Sequence, residues 1–348
     1  MIGKRYQLFG SAHELEQVRD SVGDLSTVFG IKPYTLFDGP ERGVFAIDVW
    51  TGSGFRYTVV PDRGLNICNA LYRGIPLDWS SGTGTTSPYA YDAEGWNWLR
   101  SFNGGLVHTC GLNNVGDPSR DSGAYYEDQA FGGHGRISNT PARELSWRVQ
   151  DDGSALNTIV SGKMRIVSAL EENFLLERTI TSGFAESSLL IEDTISNLGA
   201  KPLPVFLLYH CNLGFPLLSS ESILSIPADI AYDPEGNRVS DFHGLSGPVE
   251  NDAEEVLYPE LTQKGPVELS LENPELGNGG LTLYFRYNTD LLPHLTIWKF
   301  FRKRSYVLAV EPGTCRVGGR AIERQEQRAL YLDRDSQYSV SLEIGVRQ

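Results

Sequence analysis

Long apolar runs, paired cysteines and excess positive charge are all missing from this sequence of 348 residues. Because no apolar stretch is long enough to cross a bilayer, we do not expect a membrane protein. Lys and Arg number 30 against 44 Asp and Glu, which gives a net charge of −14. That balance argues against nucleic acid or an anionic membrane as a partner, since both need a basic face.

Cysteine is scarce and scattered. The four cysteines, Cys68, Cys110, Cys211 and Cys315, are far apart and include no C-x-x-C pair. This pattern predicts free thiols in a reducing compartment. No apolar segment follows the basic residues near Met1, so we predict no signal peptide and expect a cytoplasmic protein.

Helical periodicity is also scarce. Residues 11–14 read Ser-Ala-His-Glu, a capping-box pattern, and Leu15, Val18 and Val22 follow at near-helical spacing. The pattern predicts a short helix at about residues 11–22, inside an N-terminal extension of residues 1–40.

From about residue 43 the hydrophobic pattern changes to a period of two. Short runs rich in β-branched and aromatic residues are separated by turn residues, and they occupy residues 45–49, 55–59, 164–170, 174–180, 189–195, 281–287, 295–300 and 338–346. Many short strands predict an all-β sandwich or barrel. No linker interrupts them, so we expect one domain over residues 1–348. Residues 80–128 and 227–262 lack a period and are predicted to be long functional loops.

Two predicted core strands end in a side chain that can exchange protons. Residues 306–310 lead into Glu311, and residues 204–209 lead into His210. A carboxylate and an imidazole at the mouths of two buried strands can supply a base and an acid to one cleft. A solvated glutamate at a strand end is the ordinary alternative for Glu311.

Glycine-flanked polar residues form a second group of candidates. His108, His134 and His210 each have glycine within a few residues, which lets a ligand approach the backbone closely. Asn103 shares a glycine-rich segment with His108, and Asn212 follows His210 by two residues. We expect these residues to line a substrate site, although a buried, hydrogen-bonded histidine is the common alternative.

Basic and aromatic side chains complete the candidates. Arg63 opens a glycine turn, and Arg136 follows His134 by two residues. The planar donors of arginine suit sugar hydroxyls or an anionic group, with a surface ion pair as the alternative. Trp298 and Lys299 begin the densest basic cluster, residues 298–304, which could hold a phosphate, carboxylate or sulfonate but is more often a solvated turn.

These segments also occur together in one known family. Arg100-Ser-Phe-Asn-Gly-Gly-Leu is similar to an Arg-Gly-Gly-Ile segment of hexose-6-phosphate epimerases, and His134-Gly to their His-Gly motif. Leu208-Tyr-His210-Cys-Asn is similar to their Leu-His-Thr-Tyr-Phe strand end, and Val310-Glu311-Pro312 to their Val-Glu-Pro. The order agrees over residues 44–346. The chain therefore resembles the aldose 1-epimerase (galactose mutarotase-like) superfamily, in particular a bacterial subgroup described only as aldose-1-epimerase-like.

The resemblance implies a large antiparallel β-supersandwich with its site in a cleft on one sheet. It makes His210 the counterpart of the general acid and Glu311 that of the general base, with His134 orienting the sugar. The implied activity interconverts the anomers of a small sugar or sugar derivative, without a cofactor or a metal. Two features depart from the family: Arg136 follows the His-Gly motif at once, and the sugar-binding aspartate has only Asp241 as a weak candidate.

Two other classes of function stay open at this point. His108, His134, His210 and Glu311 have metal-ligating side chains and could hold a divalent ion for sugar isomerisation, although no two histidines have H-x-H or H-x-x-x-H spacing. A non-catalytic carbohydrate-binding protein would instead use Trp96 and Trp98 as a stacking platform. The identity of the sugar, its charge and the oligomeric state, a homodimer included, are also left open.

Overall fold

Antiparallel strands make up most of the computed structural model, which describes residues 5–153, 155–251, 253–277 and 279–348. The first residues of the chain, on which the expectation about a signal peptide partly rests, lie outside these ranges. Every pairing between the described strands is antiparallel. The all-β prediction is therefore confirmed.

The described strands number twenty-five. They are β1 (Arg5–Leu8), β2 (Ser11–Glu14), β3 (Gly30–Thr35), β4 (Phe45–Trp50), β5 (Phe55–Val60), β6 (Asn66–Tyr72), β7 (Ile75–Pro76), β8 (His108–Leu112), β9 (Ser119–Asp121), β10 (Gln129–Phe131), β11 (Arg143–Asp151), β12 (Leu156–Val167), β13 (Asn173–Gly183), β14 (Ser188–Asn197), β15 (Leu203–Leu213), β16 (Ile223–Ser225), β17 (Ala228–Tyr232), β18 (Arg238–Val239), β19 (Glu255–Leu261), β20 (Pro266–Asn273), β21 (Leu281–Asn288), β22 (His294–Arg302), β23 (Ser305–Gly313), β24 (Leu330–Leu332) and β25 (Gln337–Arg347). The α-helices among the described residues are α1 (Leu15–Ser21) and α2 (Arg320–Gln325), and short 3₁₀ turns join several strands.

Three sheets carry the architecture. Sheet A has the order β11-β12-β13-β14-β25-β21-β20-β16, and sheet B has the order β18-β17-β19-β22-β23-β15-β24, with β8 added beside β15. Sheet C, with the order β3-β4-β5-β6-β7, precedes both in the chain. The largest apolar cluster draws side chains from all three sheets, so the main core lies where their inner faces meet.

Strand β15 shows how sheet B is covered on both faces. All eleven of its residues are buried. Tyr209 belongs to the main core, whereas Leu208 belongs to a second apolar cluster on the other face of the sheet. Because side chains alternate along a strand, His210 lies on the same face as Leu208.

A buried ion pair connects sheet A to the back of β8 and β15. Arg178 on β13 makes a bidentate contact with Asp193 on β14, at 2.8 Å and 2.6 Å, and both side chains are inaccessible to solvent. Tyr209 donates to Asp193 Oδ2 at 2.6 Å, and Arg178 Nη1 donates to Thr109 Oγ1 at 2.8 Å. The network fixes the strands that present His108 and His210 on the opposite face.

The N-terminal helix is shorter than its sequence pattern indicates. Residues 11–14 form β2, which pairs with β1, so Ser11 does not cap a helix. The helix begins only at Leu15, and its N-cap residue, Glu14, makes no capping hydrogen bond through its side chain. Pairing with β1 supplies the backbone partners that the capping box was expected to supply. The capping-box interpretation was therefore wrong, although a short helix is present.

The two segments predicted as long loops contain strands. Residues 80–128 include β8 and β9, and residues 227–262 include β17, β18 and β19. Strand β8 is buried at every position, so it lacks the alternation that marks a half-exposed strand. The other predicted strands are confirmed, some with shifted ends, as in β12. No helix within the described ranges has the length and apolarity needed to span a bilayer.

Candidate active site

Four polar side chains form one row across sheet B. His108 on β8 pairs with His210 on β15, and the register between β15 and β23 puts His210 opposite Glu311. Glu311 in turn pairs with Thr296 on β22. Directly paired residues point to the same face of a sheet, so all four side chains share one surface. We call this set the polar row.

His210 and Glu311 form the centre of the polar row. The distance from His210 Nε2 to Glu311 Oε1 is 3.3 Å, although the geometry is not that of a hydrogen bond. The side chains are only 6% and 2% exposed. The sequence analysis predicted that these two residues share a cleft, and the fold brings them into direct contact.

Unpartnered polar atoms concentrate around this pair. Leaving a buried polar group without a hydrogen bond costs about 1–3 kcal/mol, so a cluster of such groups requires an explanation. A ligand that carries several hydroxyl groups would satisfy them. The atoms of this region without a partner in the protein are Asn103 Oδ1, His108 Nε2, His210 Nδ1, Asn212 Oδ1, Thr296 Oγ1 and Glu311 Oε1.

Burial controls the protonation of the central pair. It raises the pKa of the Glu311 carboxyl well above its usual range, and the nearby Glu254 carboxylate raises it further. Burial lowers the pKa of His210 well below its usual range, helped by His134 and opposed by the side chain of Asn212. Both shifts favour the uncharged forms of the two side chains in the unliganded protein.

His134 lies beside His210 in a fixed orientation. The ring centroids are 5.7 Å apart. The backbone N–H of Gly116 lies 3.4 Å from His134 Nδ1, which must accept, so the ring proton belongs on Nε2. The glycine of the His-Gly motif is required by packing, because a Cβ on Gly135 would lie 2.3 Å from the carbonyl oxygen of Gly111.

His108 is held in the same tautomer by a different neighbour. Asn66 Oδ1 accepts from the backbone N–H of Thr109 at 3.0 Å, which orients the amide. Asn66 Nδ2 then faces His108 Nδ1 at 3.4 Å as the donor. His108 Nε2 therefore carries the ring proton, and burial lowers the pKa of this histidine, so that it stays neutral.

An aromatic wall borders the polar row. Trp298 and Phe102 lie 5.5 Å and 5.1 Å from the His210 ring, and Trp98 stacks on Phe102 at 4.5 Å. The indole N–H of Trp298 donates to Glu254 at 2.7 Å. Glu254 is exposed, and only its position just before β19 could have marked it in the sequence. Of the predicted tryptophan platform, Trp98 is buried, while Trp96 is 42% exposed and lies 5.8 Å from His134.

Of the two predicted asparagines, Asn212 lies on the same face of β15 as His210 and is oriented by the backbone. Asn212 Nδ2 donates to the carbonyl oxygens of Gly105 and His210, at 3.0 Å and 2.9 Å, which leaves its Oδ1 as a free acceptor. Asn103 is 8% exposed, and its Oδ1 has no partner in the protein. Both amides therefore offer an acceptor to a ligand.

Arg63 and Lys299 have structural partners instead of facing the cleft. Arg63 is buried and donates four hydrogen bonds, to the carbonyl oxygens of Ser138, Thr86 and Ser101 and to the hydroxyl of Thr86. Lys299 follows Trp298 on β22, so its side chain points to the opposite face, where it pairs with Glu255 at 3.0 Å. Arg63 is bonded to oxygen atoms of the protein and Lys299 points away from the polar row, so their positions do not support the substrate-binding role expected from the sequence.

The remaining predicted residues lie at the surface. Arg136 is exposed and lies over the ring of Tyr91 at 5.8 Å. Asp241 is exposed between β18 and β19. The basic cluster continues into the turn between β22 and β23, where Lys303 lies 3.5 Å from Glu250. This turn is exposed to solvent, in agreement with the alternative interpretation of the basic cluster as a solvated turn.

Two further predictions concern cysteines and metals. All four cysteines are free and buried. Among the described residues, no three His, Cys, Asp or Glu side chains are arranged so that they could hold a metal ion together.

Comparison with known proteins places the fold. Residues 41–346 match the model of the family described as Domain of unknown function (DUF4432). No curated protein has a significantly similar sequence. A candidate aldose 1-epimerase from Klebsiella pneumoniae superimposes with a TM-score of 0.81 at 21% identity, covering 91% of this chain and 83% of that chain.

Two solved structures of lower identity have the same fold. A galactose mutarotase-like protein from Clostridium acetobutylicum has a TM-score of 0.63 at 12% identity, covering 92% of this chain and 99% of its own. Galactose 1-epimerase from Lactobacillus acidophilus has a TM-score of 0.61 at 12% identity, with the same coverages of 92% and 99%. The predicted galactose mutarotase-like fold is confirmed.

Proposed function

The chain belongs to the DUF4432 family, and from the geometry of its polar row we propose that it is an aldose 1-epimerase, an isomerase that interconverts the anomers of a sugar. The observation that carries the proposal is the contact between His210 and Glu311, with Nε2 and Oε1 3.3 Å apart and both side chains nearly inaccessible to solvent. Their unpartnered atoms match a ligand rich in hydroxyl groups. The mutarotase-like fold supports the same reaction.

Opening a sugar ring needs one acid and one base, and this pair holds the single proton that both roles require. In the unliganded site the raised pKa of Glu311 and the lowered pKa of His210 favour the proton on Glu311. A sugar hydroxyl that donates to Glu311 Oε1 stabilises the carboxylate, and the proton passes to His210. The pair then has Glu311 as the base and His210 as the acid.

The reaction follows from these positions. Glu311 takes the proton of the anomeric hydroxyl while His210 gives its proton to the ring oxygen. The bond between the anomeric carbon and the ring oxygen breaks, and an open-chain aldehyde forms. After rotation about the first carbon–carbon bond, the reverse steps close the ring on the other face. Each positioned acid or base contributes about 10²- to 10⁴-fold.

The surrounding residues orient the sugar. His134 and His108 present Nε2–H donors with fixed tautomers, and Asn103 and Asn212 present acceptors. Trp298 borders the same cleft with an apolar surface on which a sugar ring can pack. No redox step occurs, so the proposed chemistry needs no cofactor. A soluble cytoplasmic enzyme of sugar metabolism is the corresponding expectation.

The test is anomer exchange followed by NMR magnetisation transfer, with and without the protein. The panel contains neutral aldoses, sugar acids and sugar phosphates. We expect faster exchange for at least one class. If the protein binds a sugar, by chemical-shift perturbation, without changing its exchange rate, it is a carbohydrate-binding protein and the proposal is wrong. If no sugar of the panel binds or exchanges faster, the proposal is also wrong.

A further inference from the structure

Thr296 is the member of the polar row that the proposed reaction leaves without a role. It is 1% exposed, and its hydroxyl has no hydrogen-bond partner in the protein. A buried threonine hydroxyl usually bonds to a nearby carbonyl oxygen, as Thr158 does with Ser182 at 3.2 Å. The unpaired hydroxyl of Thr296 therefore calls for a function.

The direction of the Thr296 side chain follows from the strand. On β22, Thr296 alternates with Ile297, which lies in the main core, and shares its face with Trp298, which belongs to the cluster on the cleft side. Thr296 is the direct partner of Glu311, whose Oε1 also lacks a partner. Both groups therefore lie on the same face of sheet B, next to His210.

The order of the polar row indicates which part of a sugar lies towards Thr296. Neighbouring strands are about 4.8 Å apart, so His210, Glu311 and Thr296 follow one another in steps of about that length. In a pyranose the ring oxygen, the anomeric carbon and C2 also follow one another. With His210 at the ring oxygen and Glu311 at the anomeric hydroxyl, the next step in the same direction leads to the substituent on C2.

We propose that Thr296 binds the C2 hydroxyl of the substrate and so selects aldoses that carry a hydroxyl group there. This inference rests on the proposed epimerase function. A threonine hydroxyl both donates and accepts, which suits a sugar hydroxyl that must do the same. A 2-deoxy sugar would leave the buried hydroxyl of Thr296 unpaired, which makes it a poorer substrate.

The experiment compares two enzymes on two sugars. An aldose that the wild-type protein accepts, and its 2-deoxy counterpart, are tested with the wild type and with Thr296→Val, which removes the hydroxyl and keeps the side-chain shape. We expect Thr296→Val to lower kcat/KM for the aldose about five- to tenfold and to change the value for the 2-deoxy sugar less than about twofold. Thr296→Ser, which restores a hydroxyl, should recover most of the loss.

Thr158→Val provides the matched control, because Thr158 is equally buried, at 1%, and lies on sheet A. It should lower both rates equally or not at all. If Thr296→Val lowered kcat/KM equally for the two sugars, the Thr296 hydroxyl would not bind the C2 hydroxyl. The inference would then be wrong, while the enzyme function would stand. Absence of exchange with the wild type would instead overturn the function and this inference together.

Discussion

His210 and Glu311 lie opposite each other on neighbouring antiparallel strands, with Nε2 and Oε1 3.3 Å apart and both side chains nearly inaccessible to solvent. Burial moves the pKa values of the two groups in opposite directions, upward for the carboxyl and downward for the imidazole. In the unliganded protein both directions favour the proton on the carboxyl of Glu311. The proposed acid–base roles of Glu311 and His210 rest on this contact.

The neutral histidines make the stability of the protein depend on pH. Burial lowers the pKa of His134 to about 3, whereas an unfolded histidine has a pKa of about 6.5. Between these values the unfolded state binds more protons, so stability is lost as the pH falls below about 6.5. The raised pKa of Glu311 makes stability change with pH in the opposite direction. We therefore predict the effect of His134 alone.

His134→Gln removes that one titrating group and keeps an acceptor for the Gly116 N–H. Between pH 7.5 and pH 5.5 the free energy of unfolding of this variant should improve, relative to the wild type, by about 1.4 kcal/mol. Urea unfolding at both pH values measures it. An unchanged difference between variant and wild type would show that His134 is not held neutral.

The tautomers of two histidines can be observed directly. His108 and His134 accept hydrogen bonds at Nδ1, so both should carry the proton on Nε2. Long-range ¹H–¹⁵N correlation spectra of protein labelled at histidine should show this pattern for both at pH 7. In Asn66→Ala only the His108 signals should change. An Nδ1–H pattern for either ring contradicts the described hydrogen bonding.

Sequence reasoning selected the two central residues of the candidate site, His210 and Glu311, but missed Glu254 and Thr296 beside them. His210 and Glu311 could be found because an apolar run that ends in one titratable residue has a simple pattern, and the ordered segments added the family. Glu254 and Thr296 have no local pattern, since their importance comes from pairing between strands far apart in the chain. Lys299 was misplaced for a related reason: composition shows a basic cluster, but only strand alternation decides which face each side chain takes.

The sequence also predicted only part of the fold. Period-two alternation located the half-buried strands, whereas the fully buried β8 and the short β17 and β18 left no period to detect. The capping-box prediction at Ser11 was wrong because residues 11–14 pair with β1 in a hairpin instead of starting a helix. Local patterns therefore give the class of fold, and long-range pairing completes the site.

The buried ion pair behind the polar row should be essential for stability. Asp193→Asn leaves Arg178 buried without its counter-ion and also weakens the bond from Tyr209. We expect a loss of about 3–5 kcal/mol in the free energy of unfolding, measured by urea denaturation. Glu16→Gln, which removes an exposed ion pair with Arg19, is the control and should cause no measurable change. A loss in Asp193→Asn as small as that of the control contradicts the role of the network.

The rate of anomer exchange in Glu311→Gln tests the central claim most directly. Glutamine keeps the size of the side chain and cannot act as the base, so turnover should fall by at least about 10²-fold while the unfolding transition stays cooperative. Glu255→Gln makes the same change on β19, two strands away from β23 in sheet B, where Glu255 pairs with Lys299 on the other face, and should keep normal turnover. Near-normal exchange in Glu311→Gln would contradict the assignment of Glu311 as the catalytic base.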